Sequence, residues 1–204
     1  MNKIITISIA AYNVEKFLDE TLSSLSCPEL MDSIEVIIVN DGSKDSTVDI
    51  AKKYVNKYPD SFILVDKKNG GYGSTINASL DIARGKYYRL LDGDDWFDRN
   101  EFMKYVEALK NIDTDIVITD FVKRIQTGNH EKTEITSYNY PQGKVEETSK
   151  IYSMAMHSTT VKTEIINKGR IRITEHCFYT DYEFIMKAFL LSSSFTYLPV
   201  KLYQ

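Results

Sequence analysis

The sequence predicts an α/β fold, a mostly parallel, Rossmann-like sheet flanked by helices, followed by a mixed α+β half. Three observations carry this prediction. Up to about residue 95, short β-branched runs alternate with stretches of helical periodicity in the order β-α-β-α-β-α-β, and such crossovers build a parallel, doubly wound sheet. The polar residues after the first, second and fourth runs, Tyr12-Asn13, Asp41 and Asp92 to Asp95, would gather at the carboxyl edge, where ligands bind in such sheets. Past Asp95 the alternation loosens and Thr, Lys and Glu become frequent, as in exposed antiparallel strands.

Ile4 to Ala11 is β-branched and reads as a buried strand. From Glu15 to Leu25, Phe17, Leu18, Thr21, Leu22 and Leu25 recur at helical spacing, and Pro28 closes the element. Ile34 to Val39 is a second buried strand, running into Asn40-Asp41-Gly42-Ser43. Asp45 can then cap a helix whose apolar face carries Val48, Ala51, Tyr54 and Val55. Phe62 to Val65 is a third strand, and the polar loop Asp66 to Gly71 leads to a helix reaching about Ala83. Gly85 ends that helix, and Tyr87 to Leu91 is a fourth strand.

In the second half, Phe102 to Leu109 reads as a helix, Ile116 to Thr119 as a fifth strand, and Val122 to Tyr140 as exposed antiparallel strands. Ile151 to Met156 and Thr163 to Lys168 read as short helices. Asp181 to Leu191 is a clearer one, with Phe184, Ile185, Ala188, Phe189 and Leu191 inward, and Phe195 to Leu198 returns as a final strand. No internal repeat or linker divides the chain, so residues 1–204 are expected to form a single domain.

A chain of 204 residues is long enough for a substantial core. A net charge of −4 argues against a general nucleic-acid binder, which needs a basic surface to offset phosphates. Cys27 and Cys177 are the only cysteines, lie far apart without CxxC spacing, and read as free buried thiols rather than a disulfide or zinc site. Met1-Asn2-Lys3 precedes a short apolar run soon broken by Asn13, Glu15 and Lys16, unlike a signal peptide. No apolar run approaches the roughly 20 residues needed to span a bilayer. A soluble, cytoplasmic protein is expected. The stop at Leu202-Tyr203-Gln204, straight after a strand-like segment, suggests that the natural protein continues.

Asp92-Gly93-Asp94-Asp95 is the feature with chemistry in it. Three carboxylates in four residues repel one another unless a cation sits among them. Oxygen ligands suit Mg²⁺ or Mn²⁺, with substrate phosphates completing the shell, and Gly93 lets the backbone turn tightly or approach a ligand. The same spacing equally fits a solvated turn in which Asp94 or Asp95 caps the next helix, and spacing alone does not choose.

The order of motifs does choose. Thr6 to Leu25 (TISIAAYNVEKFLDETLSSL), Glu35 to Thr47 (EVIIVNDGSKDST), Asn69-Gly70-Gly71 with Asn77, Ala83, Gly85 and Tyr87-Tyr88, and Arg89 to Trp96 (RLLDGDDW) together resemble the inverting glycosyltransferases of family 2, which have the GT-A fold. The resemblance covers about the first hundred residues, with the blocks in order. It implies that residues 1–98 bind a nucleotide-diphosphate sugar, usually UDP-linked in this family, and that 99–204 bind a carbohydrate or lipid-linked sugar acceptor. Tyr12 and the backbone near Ala11 would contact the base, and Asp41 would accept a hydrogen bond from the uracil imide, although capping the next helix is an equally available role. Asp92 would contact the ribose or the metal's water shell, and Asp94 would ligate a Mn²⁺ or Mg²⁺ that bridges the phosphates. Asn13 and Glu15 would order the first loop, or serve as caps. With Gly71 and Gly93, these residues complete the implied nucleotide-sugar set.

Direct displacement at an anomeric carbon needs a base for the acceptor hydroxyl and a cation for the departing diphosphate. The resemblance places the base at Asp181, in Phe178-Tyr179-Thr180-Asp181-Tyr182-Glu183, with Thr180 where the family often has glutamate; Glu175 and Glu183 are weaker candidates. A helix cap or a first-turn acid is the structural alternative for Asp181. His157 or His176 could complete a metal shell, but lone histidines are more often structural. Trp96 suits either an apolar wall or the core. This chain departs from the pattern at Ala10 and Ala11, where many members have proline and threonine, and at Ile76, where many have arginine; Lys67, Lys68 and Arg84 are the candidate substitute cations, although lysines in polar loops are usually just solvated. Cell-surface polysaccharide or glycolipid synthesis, with peripheral membrane association, follows by analogy. Two other readings are a sugar-nucleotide pyrophosphorylase, whose glycine-rich basic loop is missing after the first strand, and a non-catalytic nucleotide- or carbohydrate-binding domain.

Overall fold

The β-branched runs become strands β1 (Ile5–Ala11), β2 (Ile34–Asn40), β3 (Phe62–Asp66) and β4 (Tyr87–Asp92), parallel and in the order β3-β2-β1-β4. Helices α1 (Leu18–Leu25), α2 (Thr47–Lys57) and α3 (Tyr72–Leu80) make the crossovers. This computed structural model describes residues 3–127 and 130–204. Met1 and Asn2, and positions 128 and 129 of the segment read as exposed strands, lie outside the described residues, as do the side chains of 126–131. Strand β2 is buried at every position, because helices cover both faces of a parallel sheet and leave no polar side to alternate with.

At the amino end of this half the buried polar groups are paired, as most buried polar groups are. Glu35 is fully buried, and its carboxylate accepts from the Thr6 hydroxyl at 2.7 Å, the Arg84 amide at 2.8 Å and Arg84 Nε at 2.6 Å. That cluster sits at the amino end of β1 and β2, which removes Arg84 from the candidate cations at the opposite edge. Gly85 packs there without room for a side chain: a Cβ would lie 2.3 Å from the Thr6 nitrogen and 2.5 Å from the Ile5 carbonyl carbon. Backbone cannot rotate away, so Gly85→Ala is expected to cost about 2–3 kcal/mol. The melting temperature should then fall by roughly 5–10 °C, read by thermal unfolding.

The strands end level. Ala11 lies beside Asn40, Asn40 beside Asp66 and Ala10 beside Asp92, so the loops that follow all four open at one edge. Helix α1 starts at Leu18 rather than near Glu15, because residues 14–18 first turn tightly (Phe17 and Leu18 amides to the Val14 carbonyl).

After α4 (Arg99–Leu109), capped by the Asp98 carboxylate on the Glu101 amide at 2.9 Å, the chain adds β5 (Ile116–Thr127), β6 (His130–Thr136), β7 (Val145–Glu147), β8 (Thr159–Lys162), α5 (Thr163–Gly169), α6 (Thr180–Leu191) and β9 (Ser194–Tyr203). The sheet continues past β4 as β8-β5-β9-β7, with β6 paired to β5. Strands β5 and β9 run well beyond the segments expected from sequence, and β7 and β8 were not expected. The helix expected over Ile151 to Met156 does not form; only a single 3₁₀ turn follows, at Met156–Ser158. Side chains take the backbone donors there: the Tyr152 amide bonds the Tyr140 hydroxyl at 2.9 Å and the Ala155 amide the Ser158 hydroxyl at 3.3 Å.

Candidate active site

The loops at the carboxyl edge are tied to one another before any ligand is considered. Asn13 Oδ1 accepts from the Lys44 amide at 2.9 Å, Glu15 Oε2 from the Ser46 amide at 2.9 Å, and Asp45 Oδ2 from the Glu15 amide at 3.1 Å. Asn13 and Glu15 therefore lock the loop after β1 to the loop after β2. Asp45 also takes the Thr47 amide at 3.1 Å at the start of α2.

A cleft of about 580 Å³ opens above these loops, lined among others by Ala11, Tyr12, Asp41, Gly71, Asp92, Gly93 and Asp94. Val14, Tyr72 and Thr75 also line it, whereas Asn13 and Glu15 do not. Tyr12 is half exposed at its rim. Asp41 is buried, and its carboxylate accepts from the Gly70 and Gly71 amides at 2.9 Å each and pairs with Lys67 Nζ at 2.7 Å. Lys67 is thus the one of the three candidate cations drawn to the cleft wall, and Asp41 shapes the turn into α3. Gly93 allows close packing: a Cβ would stand 2.7 Å from the Ala10 carbonyl, while its own carbonyl accepts from Thr21 at 3.0 Å.

The acidic segment divides its labour. Asp94 is exposed at the cleft mouth. Asp92 and Asp95 turn inward and meet His157, with one ligand atom of each within 4.8 Å of the others. Strand pairing explains the meeting. Because β8 is antiparallel to β4 (Tyr88 beside Val161), the residues just before β8 arrive at the carboxyl end of β4. At the end of β9, Tyr203 pairs with Phe97, and its hydroxyl donates to Asp95 Oδ2 at 2.7 Å and accepts from the Asp92 amide at 3.3 Å. Tyr72, from α3, donates to Asp92 Oδ1 at 2.6 Å.

Burial pushes the Asp92 carboxyl above the ordinary carboxylate range; the Tyr72 hydrogen bond opposes this, and the charges of Asp95 and Asp94 add to it. Asp95 is raised for the same first reason, with Tyr203 opposing and Asp94 adding. Burial lowers His157, against the pull of Asp92 and with the help of Arg89. Two inward carboxylates that resist ionising, beside an imidazole held neutral, form a donor set that a divalent cation suits.

Beneath them lies a group the sequence does not single out. Arg89 is fully buried and donates to the Thr160 hydroxyl at 2.9 Å, the Thr119 hydroxyl at 3.1 Å and the His157 carbonyl. Its Nε has no partner among the described residues. A buried cation bonded to neutral groups fixes the turn that carries His157 and helps to hold its imidazole below the ordinary range.

A second cleft of about 310 Å³ shares Tyr72 and Asp92 with the first and is lined further by His157, Cys177, Tyr179 and Asp181. Cys177 is exposed, which corrects the expectation of two buried thiols; Cys27 is buried. Of the acids considered as base, Glu175 accepts from Asn77 at 3.0 Å, and Glu183 accepts from the Thr174 amide at 3.0 Å and pairs with Lys187 at 2.6 Å. Asp181 alone of the three lines the cleft, on the first turn of α6. His176 is exposed with a left-handed backbone (φ 58°) and is not among the lining residues. Trp96 lies under the Arg124 guanidinium, 5.5 Å from its ring centre, away from both clefts.

A family model described as Glycosyl transferase family 2 matches residues 6–170. The chain belongs to glycosyl transferase family 2. The uncharacterized glycosyltransferase EpsJ of Bacillus subtilis (strain 168) is 36% identical to this family 2 chain over 125 residues, which is 61% of this chain and 36% of the relative. The minor teichoic acid biosynthesis protein GgaB of the same strain is 34% identical over 123 residues, 58% of this chain and 14% of the relative. Among solved structures, S. aureus TarS 1-349 in complex with UDP-GlcNAc superposes with a TM-score of 0.76 at 22% identity, covering 98% of this chain and 57% of that one. That likeness establishes the fold, the GT-A sheet of the family. The chain spans only part of the length of these relatives. Among the described residues, no helix is long and apolar enough to cross a membrane.

Proposed function

We propose that this family 2 chain transfers a sugar from a nucleotide-diphosphate sugar, a UDP-sugar, to an acceptor hydroxyl with inversion, using Mn²⁺ or Mg²⁺. One observation carries the reading: the cleft of Tyr12 and Asp41 and the cleft of Asp181 meet at Asp92. The nucleotide occupies the first cleft, its base beside Tyr12 and Asp41 and its diphosphate towards Asp94. Asp92, Asp95 and His157 are the residues that would hold the cation, with Asp94 on the phosphate side. When bound, the cation offsets the charge that develops on the leaving diphosphate.

Asp181 faces the anomeric carbon from the acceptor's side. It takes the acceptor hydroxyl's proton as the new C–O bond forms, and the C–O bond to the phosphate breaks with its electron pair leaving on the nucleoside diphosphate. Attack from the side opposite the leaving group inverts the anomeric centre. Assembly of a cell-surface polymer, on the cytoplasmic side, is the role we propose for this chain, supported by the likeness to GgaB.

The cation reading has its own test in thermal unfolding. With Mn²⁺ at about a hundred times its dissociation constant, stability should rise by about 2.7 kcal/mol, a melting shift of roughly 5–10 °C that EDTA reverses. The rise should shrink as pH is lowered from 7, because metal binding needs ionised carboxylates and those of Asp92 and Asp95 are raised. An unchanged melting temperature with Mn²⁺ and UDP together would remove the cation from the reading.

A further inference from the structure

The cleft that holds Asp181 has a neighbour built from the same two segments. Residues 151–157 and helix α6 run together, and the seam between them opens at both ends. One opening carries Met156, His157 and Asp181. The other is a third cleft, of about 350 Å³, walled by Tyr152, Met154, Tyr182, Ile185, Met186 and Phe189. Tyr182 directly follows Asp181 on the first turn of α6, so the two openings adjoin.

Tyr152 and Tyr182 stand out of the surface at 66% and 60% exposure, although large aromatic rings are usually withdrawn into a core. Tyr152 is nonetheless fixed. Its amide donates to the Tyr140 hydroxyl at 2.9 Å, its own hydroxyl accepts from the Asn139 amide at 3.1 Å, and its ring centre lies 4.8 Å from that of Tyr140. No side chain lining this cleft is charged, in a chain whose residues are 26% charged. A pre-set ring costs little further ordering when a ligand stacks on it.

An uncharged cleft edged by two exposed amphipathic rings, one of them held in place, suits a pyranose. Its C–H face packs on an aromatic face, and its hydroxyls reach the tyrosine hydroxyls, Ser153 and water. An alkyl chain would instead favour a groove closed to water. Resting on the transferase reading above, we propose that Tyr152 and Tyr182 form a second acceptor subsite, holding the neutral sugar ring next to the one whose hydroxyl faces Asp181. The acceptor is therefore a neutral oligosaccharide end rather than a single sugar carried on an apolar tail.

Calorimetric titration in the presence of UDP and Mn²⁺ reads this subsite directly, with maltotetraose, cellotetraose, chitotetraose and lacto-N-tetraose set against methyl glucoside, methyl N-acetylglucosaminide and dodecyl glucoside. At least one tetrasaccharide should bind about five- to tenfold more tightly than the methyl glycosides. Tyr182→Ala should remove most of that difference without moving the melting temperature, and Tyr152→Ala should do the same with a small fall in melting temperature from its lost contacts with Tyr140 and Asn139. Equal affinity for tetrasaccharides and methyl glycosides overturns the proposal, as does binding unaffected by both substitutions. A preference for dodecyl over methyl glucoside that the alanine variants abolish also overturns it, by assigning the cleft to an apolar tail. UDP release from UDP-sugars in the same samples reports separately on the transferase reading. Its absence beside intact tetrasaccharide binding would sink that reading and leave the subsite standing.

Discussion

Asp181→Asn is expected to lower the rate of sugar transfer by about 10²–10⁴-fold, the contribution typical of a positioned general base. UDP binding should remain within about twofold of the parent, because an interaction made only with the acceptor's proton does not enter the ground state of the nucleotide complex. Asparagine keeps the size and a hydrogen-bonding oxygen but cannot hold a proton at neutral pH. The position separates this role from a structural one. Asp181 lies on the first turn of α6, where an acid also favours the helix dipole by about 0.3–1 kcal/mol. A purely structural Asp181 would therefore show a modest loss of melting temperature and nearly full transfer. Glu183→Gln is the matched control. Its carboxylate is held below the ordinary range first by Lys187, with burial opposing and Thr174 assisting, and it should affect the loop before α6 rather than proton transfer.

Asp92→Asn carries the second large effect. Asp92 is shared by both clefts and belongs to the group with Asp95 and His157, so losing its charge should weaken Mn²⁺ affinity by at least about 100-fold, the upper end seen when even supporting groups around a metal are removed. Donor turnover should fall with it at fixed Mn²⁺ and be partly recovered at high Mn²⁺. The fold should hold or gain slightly in the metal-free state, because burial and the neighbouring charges already disfavour ionised Asp92. A metal titration followed by UDP release distinguishes this from misfolding: a misfolded variant would not respond to added cation.

The first half was legible because its signals are local. Buried parallel strands announce themselves as continuous apolar runs, and the residues after them lie level by register, so Tyr12, Asp41 and Asp92 could be placed at one edge from sequence spacing alone. The second half hides its contributions in long-range pairing. Strand β8 is buried but begins Thr159-Thr160, whose polarity masks it; the Thr160 hydroxyl is there to receive Arg89. Without β8, nothing in the sequence brings His157 to Asp92. Tyr203 reaches Asp95 only because β9 runs to the end of the segment paired with Phe97. The residues from Ile151 to Met156 have helical spacing, yet tyrosine and serine hydroxyls claim their amides, a competition that periodicity does not register. Family resemblance singled out Asp181 as the candidate base; that it lines the cleft while Glu175 and Glu183 are held by other partners was visible only in the structure.

The two clefts that meet at Asp92 are proposed to bind and activate a nucleotide sugar through a divalent cation. Incubation with UDP-, GDP- and dTDP-sugars, with Mn²⁺ and then with EDTA, tests this most directly by measuring the nucleoside diphosphate released. Slow release is expected from at least one UDP-sugar without acceptor, abolished by EDTA and strongly reduced in Asp92→Asn at the same Mn²⁺ concentration. Release from no donor, or release indifferent to chelator, would contradict it.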